Sequence, residues 1–290
     1  MSLNKPPIGL FVGLTTWDLI YRAEAPPGNN QKIVASDFIA AAGGPATNAS
    51  IAFQHLGGQA ILLSGLGKSA IAPLIQNELT SLGLRHYDLL PNSDALPPLS
   101  SIVVTESTGD RAVVCLNATK IPATASDIPE GLLESIASVD IILLDGHQID
   151  VGCELATIAR NLGIPVVLDG GSWKPGLEKL LPWIDYAICS ANFHPPEGET
   201  FDYLNAVGIG AIAITRGNQP IDYFDKQYGT IDVPSIQPVD TLGAGDIFHG
   251  AFCSAIANQH GFVEALAIAA QVAAHACQFF GTREWMQHPI

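Results

Sequence analysis

The chain has 290 residues, 48% of them hydrophobic, which is enough apolar material for a large core. With 28 acidic residues against 13 Lys plus Arg, its formal charge of −15 argues against a nucleic-acid or anionic-membrane partner and leaves any bound phosphate to local main-chain dipoles. No charged segment leads into an apolar run at the start, so no secretory signal is read there. The odd, scattered Cys115, Cys153, Cys189, Cys253 and Cys277 fit reduced thiols in a cytoplasmic protein.

In chain order, IGLFVG (8–13) reads as a strand buried on both faces. Residues 15–41, with Pro26, Pro27, Gly28, Asn29 and Asn30, break the rhythm and read as a β excursion. Helical spacing over 45–57, a strand at 60–65 and helical spacing over 69–82 follow. LSSIVVTE, a turn at Ser107–Asp110 and RAVVCLN read as a hairpin over 99–117. It and the first excursion would form a small β lid, the alternative being two long surface loops.

Beyond the hairpin come strands at 140–146, 164–170, 185–190 and 210–217, with helices at 151–163 and 200–207. FVEALAIAAQVAAHACQFF (262–280) contains Glu264, Gln271, His275 and Gln278, so it reads as a buried helix and not a membrane span. The alternation predicts an α/β fold with a central, mostly parallel sheet covered by helices on both faces. It would form one domain over 1–290, with ligands at the carboxyl ends of the strands.

Two glycine-rich turns compete for a phosphate. SGLGKSA (64–70) lacks the first glycine of a P-loop, since Leu62 stands there. As a dinucleotide fingerprint it has only G-x-G-x-x-A, with Asp88 further on, and a tight strand-to-helix turn explains its glycines without a ligand. DTLGAGDIFHG (240–250) is more telling. Gly243, Ala244 and Gly245 open a helix whose unpaired N–H groups make an anion cradle. Asp246 makes no sense as a phosphate ligand but suits a base that takes the proton of an attacking hydroxyl, held ionised by the helix mouth. The structural alternative is a glycine turn in which Asp246 caps the helix. His249 reads as packing or lining, and Arg111 as either a solvated charge or a ligand for an anionic substrate.

D-T-x-G-A-G-D-x-F resembles the C-terminal signature of the PfkB, or ribokinase-like, carbohydrate kinases. GGPATNASIAFQHLGG is similar to the family's N-terminal signature, supplying Gly43, Gly44 and Asn48. The resemblance spans essentially the whole chain and implies the ribokinase-like fold and ATP-dependent phosphorylation of a sugar hydroxyl. It implies acceptor binding by Asp18, Gly43, Gly44 and Asn48, with glycines that let a sugar approach the backbone. It also implies nucleotide binding at TRG through Thr215 and Gly217, together with Thr241 and Gly243.

Magnesium arriving with ATP, a monovalent cation such as potassium near the anion hole, and a homodimer through the lid are implied too. GGPA, VVLDG and DxFHG most resemble the fructose-type branch that includes sulfofructose kinases, pointing to a ketose-like or furanose acceptor. Two motifs depart from the family. ANFHPPEG has Asn192 but Pro195 where the magnesium-linked Glu is expected, with Glu197 two residues late; DGGSWKP offers Lys174 in place of the usual Arg only with a one-residue shift. A nucleoside kinase of the same family, left open by Trp17 and Tyr21, and a non-catalytic nucleotide- or sugar-binding regulatory protein are the alternatives.

Overall fold

The computed structural model describes residues 5–116 and 123–290. Its larger sheet has nine strands in the order β13-β12-β11-β10-β9-β8-β1-β4-β5. These are β1 (Ile8–Gly13), β4 (Gln59–Ser64), β5 (Arg85–Asp88), β8 (Ile141–Leu144), β9 (Val166–Gly170), β10 (Tyr186–Ser190), β11 (Ala211–Arg216), β12 (Gln219–Asp225) and β13 (Gln227–Ile231). All pairs from β5 to β11 are parallel, and β12 and β13 add an antiparallel edge.

β1 shows why the strands read as unbroken apolar runs. Phe11 joins one core, while Leu10 and Val12 join the other on the opposite face. The first core is closed by α1 (Pro45–His55), α2 (Ala72–Ser81), α6 (Ala244–Ala257) and α7 (Phe262–Ala276), the second mainly by α4 (Ile149–Leu162) and α5 (Thr200–Val207). The short α3 (Glu130–Leu133) adds Leu132 to the second core. Cys189, Cys253 and Cys277 are buried as thiols. Among the described residues, no helix is long and apolar enough to cross a membrane.

The two excursions form a second sheet, β3-β2-β6-β7, from β2 (Thr16–Ala23), β3 (Asp37–Gly43), β6 (Leu99–Thr105) and β7 (Arg111–Leu116). β6 and β7 make the expected hairpin, whose last position, 117, lies outside the described residues. This sheet has only Ile20, Ile102 and Val104 fully buried together, and every residue of β7 is exposed. The sequence reading missed β5, β12 and β13. β5 and β13 are edge strands and β12 lies next to the edge; their residues are mostly half-buried or exposed, and Pro220, Asp222 and Asp225 break the apolar signal of β12.

Candidate active site

The order in which strands are added reverses at β1, which lies between β8 and β4, so the carboxyl ends of these parallel strands open a crevice. There a cavity of about 300 Å³ is lined by Gly13, Leu14, Thr15, Gly65 and Gly67 from the main sheet, and by Pro97, Pro98 and Leu116 from the second. Another cleft, of about 270 Å³ around Arg160 and Trp183, reaches Val166 and Tyr186 at the amino ends of β9 and β10, away from this crevice.

Asp145, fully buried at the end of β8, fixes the crevice floor. It accepts hydrogen bonds from the N–H groups of Leu14 (2.8 Å), Ala46 (3.3 Å) and His147 (3.0 Å). Burial alone would raise its pKa, but His147, Lys174 and the Leu14 N–H outweigh it and hold the carboxyl down to about 2. Gly44, at φ 96°, then starts α1, and a side chain there would strike the Leu14 carbonyl. A Cβ on Gly43 would overlap the Asp18 carboxylate. The first demand on both glycines is therefore close packing within the protein, a reason different from the sugar approach the sequence suggested. Asp18 itself accepts from Thr16 Oγ1 at 2.7 Å and from Ser100; burial, the largest cause, raises its pKa against those bonds and Arg283.

Among the described residues, the glycine turn of 240–246 leaves the N–H groups of 243–246 free, with one exception. Gly243, at φ 70°, starts α6, and Asp240 pins the turn by accepting from the N–H groups of Leu242 and Gly281, each at 2.8 Å. The Ala244 N–H is directed to the Thr241 carbonyl at 3.3 Å. Among the described residues the N–H groups of Gly243, Gly245 and Asp246 keep no partner, as the first turn of a helix requires. The space a Cβ on Gly245 would occupy is open.

Asp246 does not cap its helix. Its Oδ2 accepts a 2.8 Å hydrogen bond from Asn48 Nδ2 on α1, 198 residues away. The two family signatures therefore meet at one bond. The helix mouth was expected to keep Asp246 ionised, but its burial works against that. Loss of water around the carboxylate, then the charge of Asp169, push its pKa up to about 7, against Asn48, His249 and Arg111. Asp169, at the end of β9, has a buried Oδ2 without a hydrogen-bond partner, 3.6 Å from His249 Nδ1. Both His249 nitrogens face main-chain carbonyls, of Gly245 at 2.7 Å and Ile188 at 3.2 Å, which fits the lining role.

Arg111 reaches the turn from the second sheet, donating to the carbonyl and hydroxyl of Thr241 at 3.1 Å each. Lys174 lies over Gly146 beside Asp145, its Nζ 3.3 Å from the Ser172 carbonyl. Thr215 is the penultimate residue of β11, before Arg216, which pairs with Asp222 at 2.5 Å, and the space above Gly217 is open. Asn192 and Glu197 are exposed on the loop after β10, and among the described residues no group of three or more His, Cys, Asp or Glu could hold a metal. Tyr21 packs on Phe38 at 5.0 Å and Trp17 against the first core. In the rejected fingerprint, Asp88 accepts from Leu66, Gly67 and Leu90 N–H, so it ties down its turn.

Sequence reasoning missed Asp169, Glu78 and Arg283. Arg283 was legible only as one of 13 basic residues, set between a small-residue turn and Trp285.

The pfkB family carbohydrate kinase model matches residues 10–289. A ribokinase from Bacillus subtilis (strain 168) is 25% identical over 281 residues, covering 95% of this chain and 94% of that one. Two solved structures share the fold. A ribokinase from Giardia lamblia is 18% identical with a TM-score of 0.82, over 97% of this chain and 96% of that one. The Arabidopsis thaliana ribokinase complexed with ribose and ATP is 20% identical with a TM-score of 0.75, over 98% of this chain and 99% of that one. A match over nearly the whole chain, on a ribokinase-like α/β fold, places it: the chain belongs to the pfkB family of carbohydrate kinases, phosphotransferases with an alcohol group as acceptor.

Proposed function

We propose that this kinase transfers the γ-phosphoryl group of ATP to a hydroxyl of a ketose-like or furanose sugar held between the main and second sheets. The observation that carries the reading is the Asn48–Asp246 bond, which sets a carboxylate beside the unpaired N–H groups of Gly243 and Gly245. Asp246 takes the hydroxyl proton, the sugar oxygen attacks the γ-phosphorus, and the bond to the β–γ bridging oxygen breaks to release ADP. A carboxylate with a pKa near 7 is a stronger base than an ordinary one, and it is about half ionised at pH 7. The free N–H groups meet the charge on the transferring oxygens.

Asp18, Gly43, Gly44 and Asn48 line the acceptor side, with Arg111 and Lys174 at its margins, and Thr215, Gly217, Thr241 and Gly243 the nucleotide side. ATP in the Arabidopsis relative supports the donor, and ribose, which closes to a furanose ring, supports the acceptor shape. Magnesium entering with ATP finds only hard oxygen donors at Asn192 and Glu197, the chemistry it accepts directly or through water; it would supply charge neutralisation on the phosphates. We also propose a homodimer through the second sheet, whose edge strand β7 exposes Val113, Val114 and Leu116.

The test is ADP release with ATP and magnesium across pentoses, ketoses, aldoses, sugar acids, sugar phosphates, sulfofructose and nucleosides, wild type beside Asp246→Asn. Acceptor-dependent release by the wild type that falls at least about 10²-fold in the variant supports the reading. Silence across the panel with ATP bound would instead favour a regulatory binding protein, and a nucleoside as best acceptor would move the chain to the nucleoside kinases. Sodium and potassium arms test the monovalent cation, and light scattering the dimer.

A further inference from the structure

Arg283 follows the last long helix, and its side chain is only 18% exposed. A guanidinium so placed is costly unless its N–H groups are used. Nη1 donates to Asn48 Oδ1 at 3.0 Å and to Thr282 Oγ1 at 2.8 Å, and Nη2 donates to the Ala42 carbonyl at 2.5 Å. Glu78 on α2 sits 3.5 Å from Nε, and its other oxygen accepts the Ala42 N–H at 2.6 Å. The pair therefore grips both polar groups of the residue that leads into Gly43 and Gly44.

The bond to Asn48 matters more. A carboxamide can present either its oxygen or its NH₂, and only its partners decide which. Arg283 can only donate, so it claims the oxygen, and the NH₂ is left facing Asp246 at 2.8 Å. Without Arg283, only the negative charge of Asp246 itself opposes the amide turning its oxygen that way, and that opposition is lost whenever the carboxyl is protonated.

We propose that Arg283, backed by Glu78, is a positioning residue for phosphoryl transfer: it fixes the Asn48 carboxamide so that its NH₂ donates to Asp246, and holds the Ala42 peptide at the entry to the glycine pair. This rests on the reading of Asp246 as the base. Its Nη1 and Nη2 are taken up by Asn48, Thr282 and Ala42, so on this proposal it acts on Asn48 and the Ala42 peptide.

The experiment is a double-mutant cycle in the full chain with the best acceptor of the panel: wild type, Arg283→Gln, Asn48→Ala and both together, with kcat and KM measured against pH. Arg283→Gln is expected to lower kcat about 10- to 100-fold, as small misplacements of reacting groups do, and to move the acid limb of kcat/KM upward, with KM for ATP unchanged. In the Asn48→Ala background the same change should cost less than about 3-fold, because the residue it acts through is gone. Arg283→Lys keeps the cation but not the planar fork. It should show the same two signatures, and it carries the test if Arg283→Gln does not fold. Full multiplication of the two losses, or an unmoved acid limb, overturns the proposal while the kinase reading stands. A wild type silent across the panel overturns both.

Discussion

Replacing Asn48 with Leu tests the site at its central bond while keeping the branched shape of the side chain. The 2.8 Å bond from Nδ2 to Asp246 favours the charged carboxylate, so removing it raises a pKa that already stands near 7. A hydrogen bond to a charged group contributes about 1.5–3 kcal/mol. At about 1.4 kcal/mol per pKa unit this moves Asp246 up by about one to two units. The acid limb of kcat/KM would then shift from near pH 7 to about pH 8–9, and at pH 7 the ionised fraction would fall by roughly 5- to 50-fold. The assay is acceptor-dependent ADP release from pH 5.5 to 9.5 at saturating ATP, comparing limb positions and not rates alone, since on the proposed reading Asn48 also faces the acceptor. A limb that stays within about 0.3 units of wild type, or moves toward acid, refutes the account of what holds Asp246.

Three further outcomes follow from the same geometry. Asp169→Asn removes the like charge that raises Asp246, so the acid limb should move down by about a unit, opposite in sign to Asn48→Leu; pH–rate profiles decide it. Asp246→Asn should abolish transfer yet stabilise the fold at high pH. A carboxyl whose folded pKa is raised loses stability as pH climbs from its unfolded value near 4 through about 7, so the variant's Tm should exceed the wild type's at pH 8 and match it below about pH 4. Gly250→Ala places a Cβ against the Ala49 carbonyl and 2.8 Å from Ala52 Cβ, where α6 crosses α1. It should cost about 1–3 kcal/mol and lower Tm by roughly 2–10 °C, read by thermal melting, without moving the pH profile.

What was legible in the sequence follows physical scale. Strands buried on both faces, such as β1 and β9, carry their own apolar signal, and both glycine motifs could be read because close backbone packing tolerates few substitutes. The edge hairpin of β12 and β13 had no such signal. Glu78 and Arg283 were unreadable for a different reason: each is an ordinary charge until the fold brings Ala42 to both and Asn48 to Arg283, 241 and 235 residues from Arg283 along the chain. The protonation of Asp246 failed on magnitude. A helix mouth favours a carboxylate by about 0.3–1 kcal/mol, less than one pKa unit. Loss of water around a carboxylate can shift it by several units, and sequence does not show which side chains will close around it.

The acidic composition adds a constraint on how charge is met. The two arginines whose charges act on or are acted on by Asp246, Arg111 and Arg283, spend their guanidinium groups on Thr241 and on Asn48, Thr282 and Ala42. On the proposed reading, the phosphates therefore meet main-chain N–H groups and an incoming metal ion first, while the arginines shape the turn and the amide around the base. A site of this kind depends on orientation more than on net charge. Rate losses from Arg283→Lys, where the charge survives and the fork does not, measure how far that dependence goes.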